Sequence, residues 1–206
     1  MEICGRNKFI FYNCSKLTQF IMSNIHEIVE QLQEGKTMLY PTDTILGIGC
    51  SAKNEDAIQK IFDIKNRPSS KSLIILVDSP KMLQDIVEVP ELAWDLMEYN
   101  EKPLTIIYDN PKGLPKSLVA EDNTIAIRLT DDLLCKKIIG RLKGPIVSTS
   151  ANLSGEPSPH ILKDVSSKIK EGVDIVLEEC EGFVPQSTAP TITKLGLDNE
   201  VKVIRE

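Results

Sequence analysis

The sequence lacks most of what builds a metal centre or a disulfide scaffold. It has only two histidines, His26 and His160, which excludes a histidine-rich metal site. Its five cysteines (Cys4, Cys14, Cys50, Cys135 and Cys180) are scattered and odd in number, with no C-x-x-C pair. That pattern predicts a reducing compartment, no disulfide framework and no zinc knuckle. The longest apolar runs are about five residues, against the roughly 20 that a spanning helix needs. No membrane association is expected, and the expected location is cytoplasmic. "FIFY" and "FIM" in the first 21 residues are interrupted by Asn7, Lys8, Asn13, Ser15, Lys16 and Gln19, so no signal peptide is predicted. Aromatic residues make up 5% of the chain and its net charge is −6. The surface as a whole is therefore a poor match for nucleic acid, and any anion site must be a local cluster of cations.

What is present is a core-forming composition, 41% hydrophobic and carried by Ile, Leu and Val. Its length and uninterrupted patterning predict one domain over 22–206, with residues 1–21 as an N-terminal extension ahead of Met22. Helical and extended patterns alternate. "SNIHEIVEQLQEG" has apolar positions 25, 28, 29 and 32 and a stop at Gly35, the pattern of an amphipathic helix. "NEDAIQKIFDIK" predicts a second helix capped by Asn54, and 79–86, 90–99, 131–142 and 161–172 read as four more. "TMLY", "SLIILV", "PLTIIYD", "TIAIRLT" and "PIVSTS" read as strands, as do segments near 173–178, 190–195 and 201–205. About seven strands and six helices are expected, in an α/β fold: a twisted sheet of mixed parallel and antiparallel strands with flanking helices.

Several segments carry chemistry. "EGKT" (34–37) contains the G-K-T of a phosphate-binding loop, but Glu30 stands where the first glycine belongs. It also joins a helix to a strand rather than a strand to a helix, so it is rejected. "DIKNRPSSK" (63–71) places Lys65, Arg67 and Lys71 within seven residues. Lys65 could simply meet the dipole of a helix C-terminus, but three cations around a turn can also wrap a polyphosphate. "YPTDTILGIGC" (40–50) offers the side-chain oxygens of Thr42, Asp43 and Thr44 at a strand end, and Gly47 and Gly49 allow close backbone approach; an ordinary turn-rich connection would look the same. In "TIAIRL" (124–129), Thr124, Ala126 and Arg128 share one face of a strand. A charge there needs an anion partner or a cleft, unless the strand is an edge with a surface ion pair. "PIVSTSANLSGEPSP" (145–159) runs from a buried strand into a loop rich in hydroxyls and amides, the place where open α/β sheets bind ligands.

Taken in this order, "YPTDT…G.G", "K.RP", "TIAIR" and "STSAN.SG.PSP" resemble the YrdC-type threonylcarbamoyl-AMP synthase family, over about nine-tenths of the chain. The length is similar to that family's short, single-domain form. The resemblance implies an open sheet with a large concave cleft. It also implies a nucleotidyltransferase that forms threonylcarbamoyl-AMP and pyrophosphate from L-threonine, bicarbonate and ATP, with Mg²⁺ carried by the ATP phosphates and no protein metal site. Partner enzymes would then transfer the threonylcarbamoyl group to tRNA beside the anticodon.

By matching position, Lys65, Arg67, Ser150 and Asn152 would be the catalytic tetrad. Arg67, Lys71, Thr124, Asn152, His160 and Arg205 would line the nucleotide, and Thr44, Arg128 and Ser150 would hold threonine. The chain departs from the family at Leu46, where an aromatic is usual, so one wall of the site is expected to differ. Lys71 stands where the longer members often have Asn, and His160 matches poorly and also reads as a surface histidine. The pair that touches threonine could be Ser187-Thr188 or Pro190-Thr191. Two other functions share these residues: a non-catalytic module that contacts double-stranded RNA through the same basic cleft, and carbamoyl-adenylate handling within a much larger maturation protein.

Overall fold

The structure, a computed structural model, describes residues 25–67, 73–100, 102–183, 190–196 and 201–205. Lys71, Ser187 and Thr188 lie outside the described residues, as does the proposed extension 1–21.

A helix α1 (residues 25–33) leads into the hairpin β1 (Met38–Pro41) and β2 (Leu46–Ser51). There follow α2 (Glu55–Lys65), β3 (Ile74–Val77), α3 (Pro80–Ile86), α4 (Glu91–Tyr99), β4 (Leu104–Asp109) and β5 (Thr124–Leu129). The chain continues through α5 (Leu133–Leu142), β6 (Ile146–Ser150), α6 (Ser167–Gly172), β7 (Ile175–Val176), β8 (Thr191–Leu195) and β9 (Val201–Arg205). The helix starts are chemically specified. Asn54 accepts from the Ala57 amide at 2.9 Å and Asp132 from the Cys135 amide at 2.8 Å, each satisfying a backbone donor that the first turn leaves open.

The strands form one nine-stranded sheet in the order β7-β1-β2-β6-β3-β5-β4-β8-β9. Pairing is mixed: β3 with β5 and β4 with β8 are parallel, while β2 with β6, β3 with β6 and β8 with β9 are antiparallel. The core contains Ile48, Ile58, Ile61, Phe62, Ile75, Ile127, Ile138 and Val147, all buried between sheet and helices.

The α/β class and the mixed sheet agree with expectation. The count of about seven strands does not. Leu46–Ser51 is a complete, fully buried strand, missed because Gly47 and Gly49 read as turn residues. The close backbone approach expected there is found at Gly49. A Cβ on Gly49 would collide with the Val147 carbonyl oxygen and sit 2.9 Å from the Tyr40 ring. The helix expected over 161–172 is also shorter. A 3₁₀ turn covers Leu162–Asp164, and α6 begins only after Ser166, whose side chain accepts from the Ile169 amide.

Candidate active site

A hollow of about 280 Å³ opens on the sheet. Its walls come from the β1–β2 turn (Thr42, Thr44, Ile45), the second residue beyond α2 (Arg67), and the end of β6 (Ser148, Thr149, Ser150). A transverse row of the sheet supplies five more lining residues. Leu76 lies opposite Arg128, Thr105 opposite Ile192, and Ile192 opposite Arg205, and all five line the hollow.

Three arginines thus line one hollow of an acidic chain, and the Arg205 guanidinium donates through Nε and Nη2 to the Pro190 carbonyl. Arg67 is placed by the end of α2. Asn66 adopts φ 49°, ψ 45°, and its amide and that of Arg67 bond back to Phe62 and Asp63 carbonyls. Asparagine tolerates this left-handed conformation better than most residues. The reversal separates the two cations of K-x-R. Arg67 reaches the hollow, and burial lowers its pKa from the usual arginine value. Lys65 turns inward, is 1% exposed, and its ammonium donates to the backbone carbonyls of Ser150 and Asn152. Burial, and secondarily the charge of Arg67, lowers the Lys65 pKa to about 8.

Arg128 sits on a central strand, not an edge, and is 4% exposed. Nη2 pairs with Asp43 Oδ1 at 3.0 Å and Nη1 lies 3.5 Å from Thr44 Oγ1, while Nε is buried with no protein acceptor. Burial raises the Asp43 pKa, and the Arg128 charge pulls it back down. The turn that presents these groups is locked by Thr42, whose hydroxyl donates to the Ile45 carbonyl at 2.8 Å and accepts from the Thr44 and Ile45 amides at 3.2 Å.

The structure brings Thr44, Arg67, Arg128, Ser150 and Arg205 together around the hollow. Lys65 and Asn152 stand behind its wall rather than in it. The Asn152 amide donates to the Leu153 and Glu156 carbonyls, and its Oδ1 is buried without a partner. Thr124 is buried, donates to Asp122 Oδ1 at 2.7 Å, and is not among the lining residues. His160 is exposed and also outside the lining. Leu46 corrects an expectation: it is fully buried in the core while its neighbours Ile45 and Gly47 line the hollow, so it forms no wall of the site. Sequence reasoning attached no role to Thr105, one polar residue in an apolar strand, and did not single out Asp43 as the partner of Arg128.

The family model Sua5/YciO/YrdC, described as "Telomere recombination", matches residues 30–206. The chain belongs to this family. A threonylcarbamoyl-AMP synthase of Photobacterium profundum is 31% identical over 162 residues, covering 76% of this chain and 87% of the relative. The enzyme of that name from Bacillus subtilis is 37% identical over 150 residues, 69% of this chain and 43% of the relative. The crystal structure of Sua5 from P. abyssi complexed with L-threonine superimposes with a TM-score of 0.76 at 28% identity, over 84% of this chain and 51% of that one. Escherichia coli YciO shares the fold with a TM-score of 0.78 at 24% identity, over 89% of each chain. The Sua5/YciO/YrdC chain described here thus spans nearly all of its short relatives and about half of the longer ones.

Proposed function

We propose that this chain forms threonylcarbamoyl-AMP and pyrophosphate from L-threonine, bicarbonate and ATP, for the modification of tRNA beside the anticodon. The relatives named threonylcarbamoyl-AMP synthase support the activity. The observation that carries it in this molecule is the convergence of Arg67, Arg128 and Arg205 on one hollow of a chain with net charge −6. The substrates are an amino acid, a carbonate and a triphosphate, all anionic, and guanidinium forks suit carboxylates and phosphates.

Arg128 and Thr44 form the amino-acid end, where the buried Nε of Arg128 offers a donor that no protein group accepts. Ser150 lies on the amino-acid side with them, and Arg67 and Arg205 form the phosphate end. The nucleophile is the carbamate oxygen of N-carboxy-threonine. It attacks the α-phosphorus of ATP, the bond to the bridging oxygen breaks, and pyrophosphate leaves with that electron pair. The nucleophile is already an anion, so the protein's work is to hold anions together and stabilise charge on the phosphoryl oxygens. Among the described residues, no group of three or more His, Cys, Asp or Glu could hold a metal ion, and Asp43 is engaged by Arg128. Mg²⁺ accompanying ATP would be held mainly by phosphates and water.

Lys65 acts from behind. By holding the carbonyls of Ser150 and Asn152 it sets the shape of the loop that faces the phosphates. Partner enzymes that transfer the threonylcarbamoyl group consume the product. No helix among the described residues is long and apolar enough to cross a membrane. Pyrophosphate release tests the proposal: it should require L-threonine, bicarbonate and ATP together. Release that is indifferent to threonine would refute it, and salt-sensitive RNA binding without turnover would favour the binding module instead.

A further inference from the structure

Two buried polar groups in the hollow have no partner in the protein, and they are neighbours. Thr105 is 0% exposed and its Oγ1 makes no hydrogen bond. The Nε of Arg128 is likewise buried and unbonded. Ile106 lies opposite Ile127 in the antiparallel pair of β4 and β5, which sets Thr105 directly beside Arg128. Such cross-strand neighbours have Cβ atoms about 5 Å apart, and both residues line the hollow.

Three other hydroxyls there are committed. Thr42 and Thr44 share a hydrogen bond at 3.0 Å, and Ser148 accepts from the Tyr40 hydroxyl at 2.7 Å. A buried hydroxyl without a partner is costly and calls for a reason. The outer edge of the Arg128 guanidinium is also occupied, Nη2 by Asp43 and Nη1 by Thr44. Nη1 and Nη2 each keep a second N–H, but Nε is the guanidinium nitrogen with no protein partner at all, so a carboxylate that approaches it gains one bond there. One hydrogen bond leaves the anion free to swivel. A second donor beside it, aimed at the other oxygen, would fix its plane.

We propose that Thr105 is that second donor: a substrate-positioning residue whose hydroxyl binds one oxygen of the amino acid's α-carboxylate while Arg128 Nε binds the other. The inference rests on the amino-acid end of the hollow assigned above, and it adds a residue on β4 that the family resemblance did not indicate.

Thr105→Val replaces the hydroxyl with a methyl group, and that hydroxyl holds no protein group, so the variant should fold with a melting temperature at or above that of the parent. Pyrophosphate release is then followed against L-threonine at saturating ATP and bicarbonate. Thr105→Val should raise KM for L-threonine about 10- to 100-fold, the effect of one hydrogen bond to a charged group. The values of kcat and of KM for ATP should stay near those of the parent, and Thr105→Ser should restore KM. The advantage of L-threonine over L-threoninamide as a competing ligand should shrink in Thr105→Val, since the amide lacks the carboxylate. An unchanged KM for L-threonine in Thr105→Val, with an active parent, overturns this inference and leaves the functional reading standing. Equal rises in KM for ATP and L-threonine overturn it too, because they mean a disturbed sheet. A parent that shows no threonine-dependent turnover overturns both.

Discussion

The ammonium of Lys65 donates to the backbone carbonyl of Asn152 at 2.7 Å, tying the last residue of α2 to the loop that leaves β6. The same group holds the Ser150 carbonyl, and the Ser154 amide returns a bond to the Lys65 carbonyl at 3.0 Å. Lys65→Met keeps the stem but leaves two carbonyls without their donor. The variant should lose about 2 kcal/mol of stability, read as a lower urea midpoint, and should lose activity because Ser150 moves. An unchanged midpoint would mean that the tie is dispensable.

The burial of Lys65 also predicts a pH dependence. Its folded pKa is lowered to about 8 from a usual value of 10.5. Between these values the unfolded chain holds the proton and the folded chain does not, so this group's contribution to stability rises with pH. Below about pH 8 both states are protonated and the cost of burying the charge is fully present. The stability of the parent relative to Lys65→Met should therefore climb from about pH 8 to about pH 10.5. A flat difference across that window would contradict the assignment.

Arg67 lies just past the same helix end but faces the hollow. Arg67→Ala should cut pyrophosphate release about 100-fold or more, the scale of losing one preorganised electrostatic donor. Its melting temperature should stay close to that of the parent. Parent-like turnover would remove Arg67 from the mechanism.

Asp43 balances the buried charge of Arg128. Removing one partner of a buried pair leaves the other uncompensated, at about 3–5 kcal/mol in full burial. The Asp43 side chain is 27% exposed, against 5% for Arg128, so Asp43→Ala should cost less, about 1–3 kcal/mol. L-threonine should stabilise this variant more than it does the parent, since its carboxylate supplies the missing charge. Thermal melts with and without L-threonine measure both effects.

Gly49 is a packing requirement. A methyl group there meets the Val147 carbonyl and the Tyr40 ring across β2, β6 and β1. Gly49→Ala should separate these strands and cost about 3 kcal/mol. Soluble, parent-like Gly49→Ala protein would refute this.

Thr42-Asp43-Thr44, K-x-R, Arg128 on its strand and the hydroxyl loop after β6 were all visible in the sequence, because each breaks a local pattern. Polar groups interrupt an apolar run, or cations crowd a turn. Thr105 broke no pattern that alone implied function, since a threonine in a strand is ordinary. Leu46 was misread for a related reason: a likeness at one position does not say which face that position presents.

Local residue patterning by itself determined the α/β alternation, most of the helices and strands, and the anion-seeking character of a few segments. Periodicity and capping act over a few residues, and the chain carries them wherever it folds. The tertiary structure alone decided which polar groups meet. Register across β3, β5, β4, β8 and β9 put Arg128, Thr105 and Arg205 in one row. Asn66, left-handed at the end of α2, sent Lys65 into the protein and Arg67 into the hollow. Those outcomes depend on strand pairing and desolvation between residues far apart in the chain, and no local pattern encodes them.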